Sequence, residues 1–249
     1  MKKLLFFLLF IALLSYPKLG KALSFDGSDD YVDFGDNENL EGFAAGSFSA
    51  WIKLSKVTQD GAIISNRSVG TIGSYMVFFD DAGDSGNDRL SFFIGKDAIT
   101  TDRIESTFPA VAGKWYHVVG TTDGSSNFLG IYIDGVLNNS KTTSINIANA
   151  TSSASKMIGS TNEASPRNFP GLIDEVRIYN RALSAREVRM LYRGFPSRLG
   201  LVGYWPLIGN TAGTFEPDFS GFRNHGKRTN GPVRAALSPF KRFFMSRVR

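Results

Sequence analysis

The chain has 249 residues, no cysteine and a formal net charge of +5. Without cysteine there is no disulfide framework, no lipidated cysteine and no thiol nucleophile, so stability has to come from a core or a bound metal. Residues 23–192 carry 14 Lys/Arg against 21 Asp/Glu and residues 193–249 carry 10 against 2, which makes the basic excess a property of the C-terminal stretch, with no nucleic-acid partner implied for the whole.

Residues 1–22 combine Lys2 and Lys3, the apolar run Leu4–Leu14 and the small residues Gly20 and Ala22. This layout predicts a secretory signal peptide, hence a secreted or surface-exposed protein; the alternative is an uncleaved N-terminal anchor. The apolar run is too short to span a bilayer as a helix, and no transmembrane span is expected in the mature chain. The remaining residues suit one large all-β domain plus an extension, with 26 Gly and 21 Phe spread over short alternating runs between turn clusters.

Between Phe25 and Asp36 lie Asp26, Asp29, Asp30, Asp33 and Asp36, with Asn37 following. Such a set either holds calcium, which wants six to eight oxygens, or satisfies turn backbones by itself. In Ser47–Leu54, Phe48, Ala50, Ile52 and Leu54 read as the core face and Ser49, Trp51 and Lys53 as the outer one. Trp51 is then either a sugar-stacking platform or a side chain packed under a neighbouring loop. Short strands follow at Ala62–Asn66, Tyr75–Phe79 and Leu90–Ile94, with four carboxylates in Asp80–Asp88 as a calcium or ligand loop or a solvated hairpin tip. Gly113–Leu137 reads as a hairpin turning at Asp123–Asn127, with a tight primed turn at Asp134-Gly135. His117 has no acidic partner at ligand spacing and reads as a strand residue. Lys156–Gly159 is a further strand. The loop Ser160–Pro170 sets Asn162, Glu163, Arg167 and Asn168 beside Phe169, a mixture that suits a sugar's hydroxyl rim and C–H faces and also suits any exposed connection.

Gly171–Tyr192 organises the end of the domain. Leu172, Asp174, Val176 and Ile178 alternate with Ile173, Glu175, Arg177 and Tyr179, the second set being the wetter face. Asp174 thus shares a face with aliphatics, where a bare carboxylate needs a partner or a metal. Ser184 and Glu187 form a capping box, Leu183 and Val188 a staple across it, Val188, Leu191 and Tyr192 an apolar helix face, and Gly194 a stop.

The segments ALSFDGSDDYVDFGD (22–36), FSAWIKL (48–54), GKWYHVVGTTDGSSNFLGIYIDGVL (113–137) and the strand–helix stretch at 171–192 closely resemble the concanavalin A-like lectin/glucanase superfamily, specifically its laminin G-like, pentraxin-related domains. The resemblance implies an all-β, antiparallel two-sheet jelly-roll sandwich with one short helix after the closing strand. It implies a secreted binding module for a glycan or polysaccharide; the alternative is a structural or adhesion module contacting cell-surface or virion proteins. Retaining glucanases of this fold share a strand motif Glu-x-Asp-x-x-Glu, which this chain lacks, so no catalysis is expected.

Leu201–Leu207 and Asp218–Gly226 resemble the segment that normally opens such a domain, yet follow its closing helix. The expected organisation is a leader at 1–22, the laminin G-like domain at 23–195, an opening-like segment at 196–232, either permuted or the stump of a second repeat, and a basic tail at 233–249. The superfamily often holds one structural calcium between the opening segment and the closing strand; here that implies Asp174, Asp218 and Asn224 as ligands. The tail from Lys241 to Arg249 reads as solvated, or as a dock for an acidic partner or membrane surface.

Overall fold

Alternating apolar and polar side chains can bury one face only by pairing sheet against sheet, and that is the arrangement reached. The computed structural model describes residues 22–67, 74–80, 88–96, 100–145, 147, 154–207 and 215–235. The strands are β1 (Leu23–Asp26), β2 (Tyr31–Asp33), β3 (Ala45–Leu54), β4 (Gly61–Asn66), β5 (Ser74–Asp80), β6 (Arg89–Gly95), β7 (Thr101–Glu105) and β8 (Trp115–Asp123). They continue with β9 (Phe128–Ile133), β10 (Val136–Thr142), β11 (Lys156–Ile158) and β12 (Pro170–Tyr179), then helix α1 (Ala185–Tyr192). After the helix come β13 (Leu201–Trp205), β14 (Phe215–Glu216), β15 (Gly226–Thr229) and β16 (Val233–Arg234).

One antiparallel sheet has the order β10-β9-β8-β3-β12-β1-β16, with β13 also paired to β12; the other is β14-β15-β2-β11-β4-β5-β6-β7. This is the expected jelly-roll sandwich. Phe48, Ile52, Val118, Ile131 and Ile173 of the first sheet face Ile64, Val77, Phe92 and Ile104 of the second in one core. Phe48 stacks on Tyr75 with ring centroids 4.1 Å apart. Gly120 is needed where the sheets approach, because a Cβ there would lie 2.4 Å from the Phe92 ring. Strands β7 and β10 escape the sequence pattern because each is an edge strand with largely exposed or half-exposed side chains, which removes the alternation.

Strand β12 departs from its expected alternation. Its pairing with β3 shifts register between Asp174 and Arg177, and Glu175 takes φ +53°. This β-bulge inserts one residue and inverts the faces beyond it. Ile173, Val176 and Ile178 therefore all enter the core, and Asp174, opposite Trp51, lies on the outer face. That face is not wet. Glu175 and Arg177 are 1% and 2% exposed, and the Glu175 carboxylate accepts from Arg177 Nη2 at 2.7 Å and from the Tyr204 hydroxyl at 2.9 Å.

The outer face of the first sheet is covered by α1. The capping box forms as expected: Glu187 N donates to Ser184 Oγ (3.3 Å) and Ser184 N to Glu187 Oε2 (3.0 Å). Leu183, Val188 and Leu191 pack on Val119, Tyr132 and Tyr179. Gly194 closes the helix at φ +88°. Beneath it His117 is 1% exposed, and burial, with the Arg177 charge adding, lowers its pKa from 6.5 to about 3. Between those two values the unfolded chain binds a proton that the folded chain refuses. Stability therefore falls as pH drops below about 6.5, by about 1.4 kcal/mol per unit from this group, until about 3. His117→Gln should flatten the acid limb of a stability–pH profile between pH 6 and 4 by about one proton's slope, measured by urea unfolding.

The C-terminal strands are built into both sheets. On one side β12 pairs with β3; on the other, its first half pairs with β1 (Leu23 opposite Ile173) and its second half with β13 (Trp205 opposite Val176). Strand β15 pairs with β2, and β16 with β1. Ala22 O accepts from Ala235 N at 2.8 Å. Residues 1–21, nearly all of the stretch read as a leader, and the tail from 236 lie outside the described residues, as does most of the acidic loop at 80–88. Among the described residues no helix is long and apolar enough to cross a membrane.

Candidate functional site

The register of the second sheet lines up Met157, Ser65, Met76, Phe93 and Arg103 across β11, β4, β5, β6 and β7. A neighbouring row sets Ala62, Phe78, Ser91 and Glu105 side by side. Residues directly opposite share a face, and the residues between these rows fill the core, so both rows lie on the outside of the sandwich. Ala62, Met76, Phe78 and Phe93 form an apolar cluster separate from the main core. Among the described residues the buried Ser91 hydroxyl has no hydrogen-bond partner.

Three arginines rise around this floor. The Arg67 guanidinium lies 4.5 Å from the Phe93 ring centroid and that of Arg167 5.7 Å from Phe78. Arg67 pairs with Glu163 at 2.8 Å, Arg167 with Asp60 at 2.5 Å, and Arg103 with Glu105 at 2.7 Å and with Asp80. The space between them is a groove of about 440 Å³, with Thr101 and Asp102 on its far wall. Asp80 is raised above the usual carboxylate range by burial, opposed by Arg103 and reinforced by Asp60 and Glu105.

The near wall is the loop at 160–168, held by its own polar groups. Arg167 N donates to Thr161 Oγ1 (3.0 Å), Thr161 Oγ1 to Glu163 Oε2 (3.1 Å) and Ser160 Oγ to Asn168 Oδ1 (2.6 Å). Asn168 Nδ2 donates to Ser28 O, and Gln59 Nε2 donates to Gly27 O and Asn168 O, both at 2.8 Å. These bonds shape a second groove of about 350 Å³ that shares Arg167 and includes Gln59, Asp60 and Asn168.

Of the residues read as ligand-binding, Arg167 and Asn168 line these grooves, Glu163 pairs with Arg67 and Arg167 beside them, and Asn162 is exposed on the same loop. Two expectations are corrected. Trp51 is 5% exposed because the closing helix lays Tyr192 over it, ring centroids 5.4 Å apart, with His117 alongside. Phe169 is fully buried in the core. Sequence reasoning missed Arg67, Phe78, Phe93 and Arg103.

The residues read as calcium ligands do not fit a cation. Asp218 accepts from Tyr204 N (2.8 Å), Ser220 N (2.8 Å), Ser220 Oγ (2.6 Å) and Asn224 N (3.0 Å), which takes up the roughly four lone-pair positions of a carboxylate. Asn224 Oδ1 accepts from Asn37 and Asn39, and its Nδ2 donates to Val202 O. Asp174 is fully buried and accepts from Glu175 N at 3.0 Å. Asp26, Asp29 and Asp30 do bring carboxylate oxygens within 4.8 Å of one another. Asp26 and Asp29 are exposed, Asp26 Oδ1 accepts from Ser28 N (2.7 Å) and Asp30 Oδ2 from Asp26 N (2.9 Å), which is turn chemistry.

A laminin G family model of the concanavalin A-like lectin/glucanases superfamily matches residues 26–189, and the chain belongs to that superfamily. Among solved structures it is similar to a candidate carbohydrate binding protein from Bacteroides ovatus, with TM-score 0.66 and 21% identity over 88% of this chain. The chain spans 61% of that protein's length. It is also similar to a heptameric SAP-like pentraxin from Limulus polyphemus, with TM-score 0.59 and 14% identity over 90% of this chain and 99% of that one. A third likeness is to domain 4 of an extracellular arabinanase from Geobacillus stearothermophilus, in complex with arabinotriose, with TM-score 0.53 and 24% identity over 71% and 78% of the two chains. No curated protein sequence matches the chain. At these identities the likeness is one of fold.

Proposed function

We propose that the protein is an exported, non-catalytic carbohydrate-binding module whose ligand lies in the groove on the outer face of the second sheet. The observation that carries this is the apolar floor of Met76, Phe78 and Phe93 ringed by Arg67, Arg103 and Arg167, each with a carboxylate partner. A pyranose or furanose ring has hydroxyls that accept from guanidinium and donate to carboxylate, and the floor, buried beneath Arg67 and Arg167, holds those guanidiniums in place. The arabinanase domain complexed with arabinotriose supports a sugar ligand for this fold. In the same reading, β13 to β16 take the place of the strands that open a laminin G-like domain, and the chain is one permuted domain.

Binding to a panel of immobilised polysaccharides tests the assignment. Arg67→Ala should weaken binding about tenfold while the melting temperature stays within a few degrees, because Arg67 is part-exposed and Glu163 keeps Arg167 as a partner. A panel with no bound glycan, or binding indifferent to this change, would contradict it. An adhesion role is favoured by a different feature: Phe215, Phe219 and Phe222 of the C-terminal segment are 53%, 41% and 53% exposed.

A further inference from the structure

The charge of the groove narrows the ligand class, given the glycan-binding reading on which this inference rests. Arg67, Arg103, Arg167 and Asp102 line the floor, and Asp60, Asp80, Glu105, Glu163 and Lys141 are their ion-pair partners. Every one of these cations is engaged: Arg67 with Glu163 (2.8 Å), Arg167 with Asp60 (2.5 Å) and Glu163 (3.5 Å), Arg103 with Glu105 (2.7 Å) and Asp80, and Lys141 with Asp102. The guanidiniums that would hold a uronate, sialate or sulfate thus already hold carboxylates. An anionic sugar entering the groove would have to break a pair or sit among like charges, and like-charge juxtaposition suppresses the wrong partner. A hydroxyl meets neither obstacle. It bridges a paired guanidinium and its carboxylate as acceptor from one and donor to the other.

We infer that the groove selects uncharged polysaccharides and rejects acidic ones, through the pairing of Arg67, Arg103 and Arg167 with the surrounding carboxylates. The arginines act as hydrogen-bond donors of fixed position, and their partners keep them from recruiting anions.

The test is affinity gel electrophoresis of the protein against arabinan, xylan and β-glucan on one side, and polygalacturonate, alginate and chondroitin sulfate on the other, at low and at physiological salt. At least one neutral polymer should bind, nearly independently of salt, and the acidic polymers should bind about tenfold more weakly or worse. Asp60→Asn with Asp80→Asn removes two negative charges, and should raise retention on acidic polymers in a salt-dependent way. Phe93→Ala, checked for folding by its melting temperature, should lose the neutral ligand. Preference for acidic polymers in the wild type overturns the inference and leaves the glycan reading standing. Neutral binding that survives Phe93→Ala moves the site elsewhere and overturns it as well. Retention on none of the six overturns the glycan-binding reading itself.

Discussion

Trp205→Ala is expected to cost about 3–5 kcal/mol and to lower the melting temperature by roughly 6–20 °C. The indole is fully buried, its ring centroid lies 4.4 Å from that of Phe34, which follows β2 of the other sheet, and Nε1 donates to Asn224 O at 2.8 Å. Its strand also completes the edge of β12 that β1 leaves open beyond Ile173. Truncation after Leu199 should be more severe. It removes Trp205 and Leu207 from the core and strips partners from β2 and from the second half of β12, so unfolding should lose cooperativity. An unchanged melting curve for the truncated chain would contradict a structural role for β13 to β16.

Arg177→Met should destabilise by about 3–5 kcal/mol, because it strands the Glu175 carboxylate in a buried site. The guanidinium lies 4.0 Å from the Tyr204 ring centroid, and donates to the Glu175 backbone carbonyl and to its carboxylate. Tyr204 belongs to β13, so the network ties the bulge of β12 to the C-terminal strand. The double change Glu175→Gln with Arg177→Met should cost clearly less than the sum of the two single changes, since most of either penalty is the charge left behind. Urea denaturation of the four proteins measures this coupling, and strict additivity would show that Glu175 and Arg177 do not act as a pair.

The features legible in the sequence are those that local rules control. The capping box at Ser184 and Glu187, the Asp134-Gly135 turn and the core alternation of β3 depend on neighbours within a few residues, and all three stand in the structure. The rest turned on a local bulge and on distant contacts. Asp174 changed faces because one residue, Glu175, adopts a left-handed conformation that no pattern of apolar residues announces. Trp51 stayed open between a sugar platform and a packed side chain because the helix that covers it begins more than a hundred residues later. The floor of the groove did leave a signal. In SYMVFF and LSFFI the apolar residues occupy both faces, whereas a sheet with one solvated face alternates; a run apolar on both sides means that something covers the second face. Here the cover is Arg67 and Arg167, whose reach across the sheet is invisible in sequence.

Binding of a sugar between the paired arginines that Phe93 supports is tested most directly by isothermal titration of the wild type and of Phe93→Ala with an oligosaccharide from the polymer that binds best. Saturable binding is expected in the wild type and a loss of about ten- to a hundredfold in the variant, with its melting temperature showing it folded. Equal affinity in the two proteins would contradict a sugar site on this floor.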